Sequence, residues 1–121
     1  MAKVLGFGGV FIKSRDPKAL AAWYEARLHV KLESWGGVIF GKDTAGDAAW
    51  SAFPADTKHF EPSDKPFMVN YRVDDLDALL AELRAAGEKV LDRGSDDEQG
   101  KFGYVLDPEG NLLELWQPAP E

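Results

Sequence analysis

The sequence predicts an α+β fold in which two tandem βαβββ modules join into one curved, mixed, eight-stranded sheet, with a helix from each module on its outer face. Three observations predict it. The chain holds a degenerate copy of itself: Gly9, Asp16 and Leu20 recur 59 positions on as Met68, Asp75 and Leu79, and Asp43, Gly46 and Trp50 recur 64 positions on as Asp107, Gly110 and Glu114. One five-residue difference in length therefore aligns residues 4–54 with residues 67–118, and a repeat of this kind bears on the whole architecture. In each copy an aspartate opens a helix-period stretch just after an apolar run. In each copy an Asp-x-x-Gly turn sets up the last strand. Residues 55–66 connect the modules, and 121 residues amount to one domain.

The elements follow in order. From Val4 to Lys13 the apolar residues Val4, Phe7, Val10, Phe11 and Ile12 partly alternate, as in a strand interrupted by Gly6, Gly8 and Gly9. Asp16-Pro17 starts a helix, because the carboxylate accepts orphan N–H groups and proline fits the first helical position. Leu20, Trp23, Tyr24 and Leu28 then make one stripe at helical spacing. Val30–Ser34 and Val38–Phe40 read as short strands around a turn at Trp35, Gly36 and Gly37. Lys42–Gly46 reads as another turn and Ala48–Phe53 as the fourth strand. Three prolines, Pro54, Pro62 and Pro66, argue against regular structure over residues 54–66.

In the second module Val69, Tyr71 and Val73 alternate with Met68, Asn70 and Arg72, which predicts a strand with one apolar face. Asp75 opens a helix carrying Leu76, Leu79, Leu80 and Leu83 on one side, and Gly87 supplies a left-handed end. A strand near Lys89–Leu91 precedes an acidic loop over Ser95–Gly100. Phe102–Leu106 and Asn111–Trp116 then form a hairpin around Asp107-Pro108-Glu109-Gly110, with proline and glycine where a type I turn favours them. Both amphipathic helices must lay their stripes on one face of the sheet.

Composition excludes several classes. A net charge of -7 disfavours nucleic acid and anionic membrane surfaces, which need clustered Lys and Arg, and suits a cationic ligand better. No cysteine is present, so disulfides, thiolate metal sites and cysteine nucleophiles are out. With no basic-plus-apolar leader and no apolar run of bilayer length, the expected location is cytoplasmic. Two histidines, His29 and His59, limit the chemistry further.

The stretches DPKALAAWY after the first strand, VDDLDALLAELRAAG after the fifth and GYVLDPEGNLLELWQP at the end resemble the glyoxalase / bleomycin resistance / dioxygenase superfamily, also called vicinal oxygen chelate. The resemblance covers nearly the whole chain. It implies a sheet curved into a cup with the helices outside, and a homodimer. It also implies a divalent metal held by His and Glu side chains on the first, fourth, fifth and eighth strands. Those positions fall here at Gly9, Trp50, Met68 and Glu114. Only Glu114 suits a hard metal, since glycine has no side chain, indole only donates and a thioether is soft. One carboxylate falls short of the three protein ligands a catalytic zinc site uses. The expectation is therefore no metal and no cofactor.

Strand parity gives the inner face. If Glu114 points inward, so do Leu112 and Trp116, while Leu113 and Leu115 meet the helices. Gly9 brings Phe7, Phe11 and Lys13; Trp50 brings Ala48 and Ala52; Met68 brings Asn70 and Arg72. The expected ligand-binding residues are Phe11, Trp50, Met68, Asn70, Arg72, Glu114 and Trp116, a mostly apolar lining with a few orienting groups. Each has a plainer reading: Trp50 and Trp116 as core or interface aromatics, Met68 as gap filler, and Arg72 and Lys13 as surface ion-pair partners. Glu114 either joins Asn70 or Arg72 in a buried polar cluster or meets a cationic or hydroxyl-bearing ligand. It is also the catalytic candidate if there is one, because desolvation raises a carboxyl toward general-base range, with Arg72, Lys13 or Tyr104 as electrophilic partner. Tyr104 is assigned to neither face. His59 can fold over the cup mouth with the connector or stand as a solvated loop imidazole.

Three functions remain in view. The first is a metal-free small-molecule-binding protein sequestering an aromatic or cationic ligand, similar in kind to the antibiotic-sequestering members of the superfamily. The second is a glyoxalase-like lyase or isomerase, or a dioxygenase-related enzyme, acting through Glu114 with or without a divalent metal. The third is a module whose cup is filled by its own side chains.

Overall fold

A computed structural model describes residues 2–40 and 48–120. Seven strands and two helices run in the order β1 (Val4–Ser14), α1 (Pro17–Leu28), β2 (Val38–Phe40), β3 (Ala48–Pro54), β4 (Phe67–Val73), α2 (Leu76–Ala85), β5 (Lys89–Asp97), β6 (Gly100–Leu106) and β7 (Leu112–Pro118). They make one mixed sheet in the order β2-β3-β1-β4-β7-β6-β5. The β1–β3 and β4–β7 pairs are parallel, and the remaining neighbours are antiparallel.

Local chemistry accounts for both helices. Asp16 accepts the Ala19 N–H at 3.0 Å and Asp75 accepts the Ala78 N–H at 3.1 Å, each tying down an orphan donor of the first turn. Pro17 follows directly in α1. Past the end of α2, Gly87 takes φ +80°, its N–H reaches the Arg84 carbonyl, and the Glu88 N–H reaches that of Leu83. Those two bonds are the Schellman pattern, and the left-handed step is what glycine supplies. α1 ends differently, with His29 in the left-handed conformation at φ 57°.

The sheet has seven strands among the described residues rather than eight. Val30–Ser34 forms no ladder. The Glu33 N–H instead donates to the Gly37 carbonyl and the Gly36 N–H to the Glu33 carbonyl, a local turn beside the three-residue edge strand β2. So short an edge offers little pairing to a further strand. The first half is thus βαββ and the second βαβββ. The expected turn at Lys42–Gly46 lies outside the described residues. β5 is also longer than expected, because the acidic stretch pairs with β6, Ser95 opposite Phe102 and Asp96 opposite Lys101.

Each face of the sheet has its own core. Val73, Val105 and Leu115 are buried under α2 together with its own Leu76, and Leu79, Leu80, Leu83 and Leu113 pack around them. The helical stripe read from the leucines is the one the fold buries. On the opposite face Phe11, Phe60, Met68, Tyr104 and Leu112 form a second cluster, into which the connector drops Phe60 at 0% exposure. Burial on this scale stabilises by about 1.5–3 kcal/mol per large side chain. The α1 stripe fares less well: Ala21 is buried, Tyr24 lies on Trp50 with centroids 4.3 Å apart, and Trp23 is left 52% exposed. The side chain of Leu28 is outside the described set.

Candidate functional site

The ladders set one row of residues across the inner face. Ala49 lies opposite Gly9, Gly9 opposite Asn70, Asn70 opposite Glu114, and Glu114 opposite Tyr104. Glu114 is 3% exposed, so its carboxylate has to be satisfied from within the protein. Asn70 Nδ2 donates to Oε1 at 2.6 Å and the Tyr104 hydroxyl donates to Oε2 at 2.6 Å. His59 Nε2 stands 3.5 Å from the same Oε2. Burial is the main force pushing the Tyr104 hydroxyl well above its usual range, with the Glu114 carboxylate adding to it, so the phenol keeps its proton and acts as a donor.

Above this cluster opens a cavity of about 480 Å³. Its walls are aromatic pairs. Phe102 and Trp116 stack with planes 3° apart, and Phe53 and His59 stack with planes 15° apart. Trp35, Ile39, Ala49 and Ser51 close the β2–β3 side, and Ser95, Asp97 and Gln99 the β5 side. The Trp116 indole N–H is held by the Gln99 carbonyl at 2.8 Å, which fixes that wall.

Not every residue expected inside is there. Phe11, Asn70, Glu114 and Trp116 line the cavity. Met68 shares their face but sits deeper, 1% exposed in the core cluster. Arg72 uses its Nε–H on the Phe7 carbonyl at 3.1 Å instead of reaching the carboxylate. Trp50 lies on the opposite face against Tyr24. The ladder gives the reason: Val10 pairs with Trp50 as Val69 pairs with Leu113, so the counterpart of Trp50 is Leu113, not Glu114. A one-residue slip in aligning the repeats exchanges the two faces of a strand. The residue that faces the cavity there is Ser51. A register shift between Phe7 and Gly9 likewise turns Phe7 outward onto Tyr71, centroids 5.4 Å apart and the ring 68% exposed. Lys13 ends 5.7 Å from the Phe60 ring centroid.

Parity alone left out Tyr104 and His59. The signal for Tyr104 was present, since closing the hairpin with the Asp107 N–H on the Asn111 carbonyl puts 104 opposite 114. His59 had none, because an irregular connector has no period to read. Gly8 matters as well: a Cβ there would collide with Asn70 Oδ1 and approach Trp116 Cε3 at 3.0 Å. Asn70 Oδ1, in turn, is buried without a hydrogen-bond partner among the described residues.

A divalent ion at this row would draw on Glu114, the His59 imidazole and the Asn70 amide oxygen. Both Glu114 oxygens already receive N–H or O–H donors, and Gly9 and Ala49 bring no side-chain donor atoms. The three donors do not converge as a catalytic ion's ligands do, because Asn70 turns its Nδ2 rather than its Oδ1 toward Glu114.

A mixed sheet with two helices outside and an aromatic cavity over one buried carboxylate defines an α+β domain with a small-molecule-sized recess. The chain belongs to the glyoxalase-like domain family, whose family model matches residues 9–116. CFP32 of Mycobacterium tuberculosis, provisionally named a glyoxylase, is 30% identical over 114 residues, 87% of this chain. The chain spans 41% of that relative's length. Among solved structures, methylmalonyl-CoA epimerase from Mycobacterium tuberculosis superposes with a TM-score of 0.64 at 23% identity, covering 97% of this chain and 90% of that one. A glyoxalase/bleomycin resistance protein/dioxygenase superfamily member from Vibrio splendidus 12B01 gives 0.60 at 17%, covering 97% and 99%. At these identities the structures share the fold. None of the helices among the described residues is long and apolar enough to cross a membrane.

Proposed function

We propose that this is a small-molecule-binding protein whose cup takes a flat aromatic guest bearing a positive charge or hydrogen-bond donors, without a metal. One observation carries the reading: a buried carboxylate at the foot of an aromatic-walled cavity. Among the described residues the lining includes Glu114 and Asp97 and no Lys or Arg. A cation gains from that field, and a carboxylate or phosphate ester loses. Stacked walls add dispersion and, for a cation, interaction with the ring faces. The net charge of -7 acts in the same sense at longer range.

The test is titration calorimetry with proflavine, a planar cation with two amino groups, beside a planar aromatic sulfonate and a coenzyme A thioester. Proflavine binds, the two anions do not, and prior dialysis against EDTA changes nothing. Proflavine giving no heat at any concentration removes the reading's main support. Affinity lost on EDTA treatment and restored by a divalent ion removes its metal-free part.

A second reading has one observation in its favour. A tyrosine held in its protonated form on Glu114, with His59 beside it, is an arrangement that can pass a proton, as a metal-free isomerase or lyase would require. Retained turnover of any discovered substrate by Glu114→Gln excludes it.

A further inference from the structure

We propose that Arg93, which stands outside the cavity, is its positioning residue: from β5 the guanidinium passes over Tyr104 and grips the connector so that the His59 ring is set against Glu114. The inference rests on the ligand-binding reading of the cavity and adds to it a residue that touches no guest.

The backbone aims this side chain. In the β5–β6 ladder Val90 lies opposite Val105 and Gly94 opposite Gly103, so residues 91–93 of β5 span the single residue Tyr104. Irregularities of this sort bend a strand and redirect its side chains. Gly94 lets the strand close again, since a Cβ there would come within 2.8 Å of the Phe102 carbonyl oxygen.

The guanidinium then makes two contacts at once. Its carbon lies 3.9 Å from the centroid of the Tyr104 ring, and Nη2 donates to the His59 carbonyl at 2.7 Å. A planar, delocalised cation can stack and donate in the same pose, which an ammonium cannot. Both residues it holds are partners of Glu114: Tyr104 through its hydroxyl and His59 through Nε2. Three rings also surround the His59 imidazole: it stacks on Phe53 and meets Tyr104 and Phe60 edge-on, with centroids 5.8 and 6.2 Å apart. Without Arg93 those ring contacts alone would set the imidazole. The nearby positive charge also opposes the upward push on the Tyr104 hydroxyl.

The chain's two histidines make the test direct, because His29 on the exposed end of α1 serves as internal control. The full chain, labelled at histidine, is compared by NMR with Arg93→Gln and Arg93→Lys, and each is titrated with proflavine. In Arg93→Gln the ring-current displacement of the His59 protons falls by about half or more, His29 does not move, and proflavine binds about tenfold more weakly although a neighbouring positive charge is gone, because lost positioning outweighs relieved repulsion. Arg93→Lys recovers part of both effects, as a purely structural loss would not. Should Arg93→Gln fail to fold, Arg93→Lys against the unaltered chain carries the comparison, with a smaller shift of the same kind. His59 signals unchanged in a folded Arg93→Gln overturn the inference and leave the ligand reading standing. A displaced His59 with unchanged proflavine affinity overturns it too. If the unaltered chain ignores proflavine while Arg93→Gln still frees His59, the ligand reading fails and the hold of Arg93 on His59 survives.

Discussion

The two ends of the sheet are built to the same plan and loaded differently. At the β4–β7–β6 end, α2 packs its Leu76 over Val73, Val105 and Leu115, and the inner face holds Asn70, Tyr104, Glu114 and Trp116. At the β2–β3–β1 end, α1 rests on its strands through Ala21 and the Tyr24–Trp50 stack, leaves Trp23 half exposed, and the inner face offers Phe11, Ala49 and Ser51. Packing and chemistry thus gather in the same half, and the other half serves as wall. The buried Glu114 cluster needs a rigid frame, because an unpaired carboxylate or hydroxyl at that depth is costly. The leucine-packed helix behind β6 and β7 supplies that frame.

Mutations can break or sharpen this contrast, and the largest effect belongs to the α2 core. Leu115→Ala or Leu76→Ala costs about 2–4 kcal/mol in urea unfolding, whereas Trp23→Ala costs less than about 1 kcal/mol. Equal costs would mean that the two ends are packed alike. Next comes the inner face. Glu114→Ala strands the Tyr104 hydroxyl and the Asn70 amide and costs about 2–3 kcal/mol, against less than about 1.5 kcal/mol for Phe11→Leu. A neutral or stabilised Glu114→Ala would show that the cluster is not held as described. Gly8→Ala probes the seam between the halves. Its new methyl pushes the Asn70 amide off the carboxylate, costing about 1–3 kcal/mol. Crystals of that variant should show the Asn70–Glu114 bond lengthened or lost.

The smallest effect is in the alkaline limb. The Tyr104 proton is held more tightly in the folded chain than at the ordinary tyrosine value of 10.0. Its contribution is therefore complete below pH 10 and drains away as pH rises toward the folded value. Tyr104→Phe should flatten the decline of stability above that pH, measured as the urea midpoint against pH. An unchanged slope would place Tyr104 in a more solvated setting.

Much of this was legible in the chain itself. Asp16 and Asp75 announced their helices because capping is local, and the leucines of α2 announced the buried face because period and burial agree. Leu113 and Leu115 fell on the helix side as parity required. What failed was long-range register. The spacing of the repeats sets Trp50 against Glu114 and so in the cup, one residue out in β3, and no local feature of Ala48–Pro54 distinguishes the two settings. Parity points Phe7 inward because the register shift between Phe7 and Gly9 leaves no mark in the sequence beyond the glycines. Val30–Ser34 alternates as an eighth strand would, but it forms no ladder beside the three-residue edge strand β2. His59 reached the site by way of a connector without periodicity, held by an arginine 34 residues further on.

On the proposed ligand-binding reading, Glu114 is the group that orients a guest in the cavity. Proflavine titrated calorimetrically into the unaltered chain and into Glu114→Gln, both at neutral pH, tests it most directly. Saturable one-to-one binding to the first and at least about tenfold weaker binding to the second are expected, the loss of one charge-assisted contact. Equal affinity for both proteins would contradict it.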